Sequence, residues 1–314
     1  MGLQSDFDIH TIDTGFHRPH FDAAYLVVDE GVAALVDSGI NASLPMVLAT
    51  LAQRGLAVDD VRYLILTHVH LDHAGGAGQL MQCLPNATLI VHPRGARHMI
   101  DPTALIAGAS AVYGSDEVQR TYGDLVAVPP ERVQTVADGE RIRIGRRELE
   151  VFDAPGHARH HIVIHDPAAA AFFTGDTFGL SYREFDTAQG PWIMPTSTPV
   201  QFEPEPLKQS IARMMRASPQ RMYLTHYGRV EAPQRLAALL AVQIDAMVEI
   251  AQTSNRRYAG SDRHKAICEG LTRLYLDGLA AHGVRLGEDA IRSLLAMDIE
   301  LNAQGLASWL DRAR

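Results

Sequence analysis

Apolar positions in the first half of the chain come in short runs bounded by turn residues, a pattern that predicts strands. Ala24-Tyr25-Leu26-Val27-Val28 and Val32-Ala33-Ala34-Leu35-Val36 flank Asp29-Glu30-Gly31 and predict a hairpin. Residues 44–54 have helical spacing and stop at Gly55. Residues 61–66 predict a buried strand that feeds into a histidine-rich loop, followed by a helix over 75–84 and a strand over 88–91. Residues 95–130 read as helical and irregular. Strands return from Val133, as two pairs: 141–144 with 149–152, and 161–164 with 171–174. The aromatic and proline-rich stretch 178–206 is too long for a simple connector and is expected to be functional. A helix over 207–217 and a strand over 222–224 close this part.

After Gly228 the period changes. Pro233 suits a first helical turn, and Leu236, Leu239, Leu240, Ile244, Met247 and Val248 follow at helical spacing. Two further helical segments cover about 264–281 and 288–312. The expected organisation is a mixed α/β domain over 1–228 and a small helical domain over 229–314.

Composition narrows the function classes. The 314 residues are 46% hydrophobic, enough for a sizeable core. No secretory signal and no apolar stretch of membrane-span length is read, so a cytoplasmic protein without a membrane partner is expected. A net charge of −9 argues against a broad nucleic-acid surface. A small-molecule substrate is the expected partner, and a homodimer is compatible with the sequence. Cys83 and Cys268 lie far apart, neither in a metal-ligand spacing, and are expected to be unpaired thiols. The fifteen histidines cluster beside Asp and Gly, which points to metal or proton chemistry.

The densest cluster is His68-x-His70-x-Asp72-His73, just after a strand. Alternate residues of an extended segment point the same way, so His68 and His70 can share one metal. Asp72 and His73 follow a bend and can face a second. Further donors stand where apolar strands open beside glycine: His157 in Pro155-Gly156-His157, Asp176 in Thr174-Gly175-Asp176-Thr177, and His226 in Thr225-His226-Tyr227-Gly228.

In these motifs, over about residues 7–228, the chain resembles the metallo-β-lactamase-fold hydrolases, especially their glyoxalase II-like branch. The resemblance implies an αββα sandwich followed by a small helical domain. It implies two divalent metal ions, zinc first, with iron or manganese as alternatives. His68, His70 and His157 would bind the first ion, Asp72, His73 and His226 the second, and Asp176 would bridge them. Two cations about 3.5–4 Å apart activate a shared water, and Asp72 would also orient it or take its proton. Asp37 looks like the family aspartate that steadies the histidines. His161 matches a further family histidine expected beside the ligands, and the role of its neighbour His160 is open.

Phe178, Tyr182 and Trp192, soon after Asp176, are candidate walls of a substrate pocket. Tyr227 is a candidate wall or oxyanion donor. Arg256, Arg257, Arg263 and Lys265 form a basic cluster that would suit an anionic substrate. The expected reaction is hydrolysis of a small ester-like substrate, an acyl thioester first, with a lactone or phosphodiester as alternatives. Gly179 stands where a lactonase relative would carry tyrosine. Two readings of other classes are a mononuclear-iron persulfide oxidoreductase and a non-catalytic metal-binding regulator.

Overall fold

The computed structural model describes residues 6–197 and 199–312. By their contacts these fall into two compact units. Unit one holds the chain to residue 153 with 160–175 and 219–229, and unit two holds 154–159, 176–218 and 230–314. A division read in chain order, at 228/229, assigns 154–159 and 176–218 to the first domain; by contacts both segments group with the C-terminal helices.

Unit one is built on two six-stranded sheets. The first runs in chain order: β1 (Ile9–Asp13), β2 (Ala23–Asp29), β3 (Val32–Val36), β4 (Val61–Ile65), β5 (Thr88–Val91) and β6 (Val133–Thr135). The β1–β2 and β2–β3 pairs are antiparallel; the β3–β4, β4–β5 and β5–β6 pairs are parallel. The second sheet orders β12 (Gly228–Glu231), β11 (Arg221–Leu224), β10 (Ala171–Gly175), β9 (Ile162–Asp166), β8 (Arg147–Asp153) and β7 (Arg141–Ile144). Its one parallel pair among those with resolved register is β10–β11.

The continuous apolar runs follow from burial on both faces. Successive strand residues point to opposite sides. In β2, Ala23, Tyr25 and Val27 therefore face Ile144, Val151, Ile164 and Phe173 of the other sheet. Ala24, Leu26 and Val28 face the opposite layer, which holds Val47 and Leu51 of α1 (Leu44–Gln53). Leu80 and Met81 of α3 (Ala77–Cys83) and Met99 of α4 (Pro93–Ile100) join that layer. The four-residue helix α2 (Leu71–Ala74) precedes α3. Helices α5 (Thr103–Tyr113) and α6 (Ser115–Tyr122) fill the irregular region. This is the αββα sandwich expected from the sequence. The Tyr25 hydroxyl donates to the Leu224 carbonyl and so ties the two sheets together where β11 ends.

Unit two contains α7 (Pro204–Arg216), α8 (Pro233–Arg257), α9 (Gly260–Ala281) and α10 (Glu288–Arg312). Their buried positions recur every three or four residues. They include Leu236, Leu240, Ile244 and Met247 on α8, Ile267, Leu271 and Tyr275 on α9, and Ile291 and Leu295 on α10. By length and composition α8 is apolar enough to cross a membrane, contrary to the sequence reading. Alanine raises its hydropathy, while its larger apolar residues form the stripe that packs on α7, α9 and α10.

The aromatic stretch 178–206 is part of this same interior. Phe178, Tyr182 and Trp192 are at most 2% exposed and offer no surface to a ligand. The Tyr182 hydroxyl donates to Asp298 of α10 at 3.1 Å. The Trp192 ring stands edge-on to Tyr275 of α9. Ser197 donates through its N–H (2.6 Å) and its hydroxyl to Asn302. The three aromatics expected to wall a substrate pocket thus stand in the interior of unit two. Long apolar helices need large partners, and the loop supplies them.

Candidate metal centre

Beyond β4 the chain stays extended through His70, held by the Ile162 N–H donating to the Thr67 carbonyl at 2.8 Å. His68 and His70 consequently share a side, with His68 Nε2 and His70 Nδ1 2.9 Å apart. At His70 the backbone turns into α2, which carries Asp72 and His73. His226 follows β11. Its Nε2 lies 3.3 Å from Asp72 Oδ2, and that of His73 lies 3.7 Å from the same oxygen.

In unit two, His157 Nε2 is 3.4 Å from Asp176 Oδ2. Gly156, with φ +132°, precedes this histidine; a Cβ there would lie 2.2 Å from the Leu207 nitrogen, so only glycine fits. His68, His70, His157 and Asp176 each offer one ligand atom within 4.8 Å of the others, and so do Asp72, His73 and His226. Within unit one, the rings of His68 and His73, one from each group, have centroids 4.0 Å apart. All seven sequence-derived candidates thus fall in these two groups. Five of them, His68, His73, His157, Asp176 and His226, are buried; His70 is half-buried, and Asp72 keeps 22% of its side chain exposed.

The donor chemistry fits a divalent cation. His226 Nδ1 lies 3.0 Å from the Phe21 carbonyl, which can only accept, so this nitrogen carries the proton. His73 Nδ1 likewise donates to Asp37 Oδ2 at 3.0 Å. In the neutral rings both Nε2 atoms then present lone pairs toward the Asp72 carboxylate. Lone pair facing carboxylate is repulsive unless a cation or a proton lies between them.

Asp37 connects three strand ends. It accepts from the Thr67 N–H (2.8 Å) and hydroxyl, from His73, and from the Thr225 hydroxyl (3.1 Å). Its backbone sits at φ +58°, a conformation that Asp and Asn tolerate better than most residues. His161, fully buried, stacks on His68 with centroids 4.6 Å apart. It also leaves no room at Gly175, where a Cβ would lie 2.6 Å from its Nε2 and 2.7 Å from Thr67 Oγ1. His160 lies beside His68 and His70; burial first, then the neighbouring histidines, push its pKa down to about 3, so it stays neutral. Tyr227 is half-buried, its ring 5.0 Å from that of His20.

The sequence assigns no role to Thr67, Thr225, the Phe21 carbonyl or Asp22. Each threonine directly precedes a metal-motif histidine, which is the signal that could have found them. Asp22 is fully buried and accepts from the Thr14 hydroxyl at 2.6 Å. Burial pushes its pKa up to about 7, against a downward pull from His226 and His73. In the basic cluster, Arg263 is taken up by a two-pronged pair with Asp311 at 2.8 Å, while Arg256, Arg257 and Lys265 remain exposed.

Comparison with known proteins agrees with this fold. The crystal structure of an archaeal metallo-β-lactamase superfamily protein from Sulfolobus tokodaii superposes with a TM-score of 0.67 at 22% identity, covering 96% of this chain and 99% of that one. A hydroxyacylglutathione hydrolase of Cereibacter sphaeroides is 26% identical over 220 residues, 69% of this chain and 66% of its own. The human acyl-coenzyme A thioesterase MBLAC2 is 33% identical over 159 residues, 45% of this chain and 53% of its own. The metallo-beta-lactamase superfamily model matches residues 17–227, and with the two-sheet fold and the His/Asp groups already described, the chain belongs to the metallo-β-lactamase superfamily and is a hydrolase of that type.

Proposed function

We propose that the chain is a dinuclear metal hydrolase that cleaves a small ester-like substrate, in the first place an acyl thioester. The observation that carries this reading is the presence of two donor groups, His68, His70, His157 and Asp176, and Asp72, His73 and His226. His68, His70 and His157 would hold one ion and Asp72, His73 and His226 the other, with Asp176 available to both. Bound divalent cations would supply an activated water and positive charge for an acyl oxygen.

The chain's own residues set up the rest. Asp37 and the Phe21 carbonyl fix the tautomers of His73 and His226. Asp72, partly exposed, would orient an attacking water and accept its proton. Tyr227 is the proposed hydrogen-bond donor to the developing oxyanion. The thioester preference draws on two relatives whose names denote hydrolysis of acyl-thiol compounds.

The test combines a metal count on the purified protein with a panel of acyl-glutathione and acyl-coenzyme A thioesters, lactones, β-lactams and phosphodiesters. Two zinc-class ions per chain with thiol release from a thioester are expected. One iron per chain with persulfide oxidation would overturn the proposal. So would a fully metallated protein that cleaves nothing in the panel.

A further inference from the structure

Outside the candidate metal centre, three donors of different chemistry converge on the outer helices of unit two. His264 and Cys268 lie four residues apart and so share a face of α9. Glu300 approaches from α10. His264 Nε2 is 3.0 Å from Glu300 Oε2, Cys268 Sγ is 3.5 Å from the same nitrogen, and Sγ is 3.9 Å from Oε2. One imidazole nitrogen thus faces a carboxylate oxygen and a sulfur together. A single N–H can point at only one of them.

The triangle has the size of a tetrahedral zinc face. Zinc bond lengths of roughly 2.0–2.1 Å to nitrogen and oxygen and about 2.3 Å to sulfur give edges of about 3.3 Å (N to O) and about 3.6 Å (N to S and O to S). Each observed edge lies within about 0.4 Å of its counterpart. Gln304 donates to Glu300 Oε1 at 2.7 Å, which holds the carboxylate with Oε2 turned toward the histidine. An i,i+4 ligand pair on one helix face is a spacing that helical zinc sites use. His264 and Cys268 are half-buried and Glu300 is exposed, so a cation can enter from solvent. Thiolate and carboxylate together carry the charge that a divalent ion balances.

We propose that His264, Cys268 and Glu300 form a transition-metal site for a zinc-class divalent cation, with water as fourth ligand, clamping α9 to α10. Reading cysteine spacings alone had dismissed Cys268, because its partner ligands are a histidine on the same helix and a glutamate on another.

This proposal is independent of the proposed function, because the donors at the candidate metal centre include no sulfur. The test is titration of the purified full-length protein with cobalt, read by the thiolate-to-cobalt charge-transfer band. One equivalent of band is expected, lost in Cys268→Ser, retained in Cys83→Ser, and at least tenfold weaker in apparent affinity in Glu300→Gln. A second measurement needs no variant: zinc or cadmium should protect Cys268 from alkylation, read by peptide mass spectrometry. Absence of both the band and the protection, or a band that survives in Cys268→Ser, would overturn the site.

Discussion

Replacing Asp37 by Asn isolates the tautomer argument at the candidate metal centre. Asn keeps the shape of the side chain and tolerates the positive φ of +58°, so the backbone is not disturbed. Its oxygen can stay on the Thr67 N–H, now 2.8 Å from Asp37 Oδ1. Its NH2 group then occupies the position of Oδ2 and faces His73 Nδ1 at 3.0 Å and the Thr225 hydroxyl at 3.1 Å. The hydroxyl can rotate and accept. The imidazole cannot, because its Nδ1 already carries a proton. It must either lose this hydrogen bond or move the proton to Nε2, which removes the lone pair meant for the cation.

Loss of such an outer hydrogen bond typically lowers metal affinity 10–100-fold, or about 1.4–2.7 kcal/mol. Removing a hydrogen bond to a charged group also costs about 1.5–3 kcal/mol of stability in the metal-free protein. The assay is competition with a chromogenic chelator at neutral pH, alongside urea unfolding of the chelator-stripped protein. Asp37→Asn binding metal within twofold of the unaltered protein would refute the reasoning. Asp37→Ala should be worse on both counts, because alanine neither accepts these bonds nor tolerates the left-handed backbone.

Three further outcomes are expected. Tyr182→Phe should lower stability by about 1.5–3 kcal/mol in urea unfolding, because buried Asp298 loses a donor; unchanged kcat/KM supports an interior role, whereas a KM shift would restore the pocket role. Gly175→Ala should cost on the order of 1–3 kcal/mol in thermal melts and weaken metal binding, since the new methyl strikes His161 and Thr67 at a φ of +46°; a neutral variant would contradict the packing. In metal-stripped protein, Asp22 holds its proton more tightly when folded, to about pH 7, than when unfolded. Its contribution is therefore full below the unfolded pKa near 4 and falls as pH rises to about 7, with a slope of at most about 1.4 kcal/mol per pH unit. Asp22→Asn should flatten that slope, and parallel profiles would refute the assignment.

What the sequence made legible follows the ranges of the forces involved. The sandwich could be read because strand burial leaves a local signature, as in β2, where alternate residues serve two cores. The candidate metal donors stood out because each follows an apolar strand: His68 after β4, His157 after β8, Asp176 after β10 and His226 after β11. Where a strand opens into a loop, chemistry is exposed and local context suffices. Asp37 was only half legible. Its position at the end of β3 was visible, but its partners lie 30, 36 and 188 residues away.

The aromatic stretch after Asp176 shows why proximity along the chain misleads. Tyr182 and Trp192 follow a ligand closely, yet their side chains answer to residues about a hundred positions later. Tyr182 meets Asp298 at a separation of 116 residues, and Ser197 meets Asn302 at 105. A tyrosine suited to a ligand pocket and one suited to an interior need the same thing, an apolar body with one hydrogen-bond partner for the hydroxyl. Composition cannot separate the two; only the identity of that partner can. Asp298, itself 8% exposed, is a residue that burial would penalise without a donor. The Tyr182–Asp298 hydrogen bond thus helps to hold both side chains within the interior of unit two. Tyr227, half-buried beside His20, is then the sequence-derived wall candidate that keeps some exposure, and Tyr227→Phe with an unchanged kcat/KM would refute its proposed role.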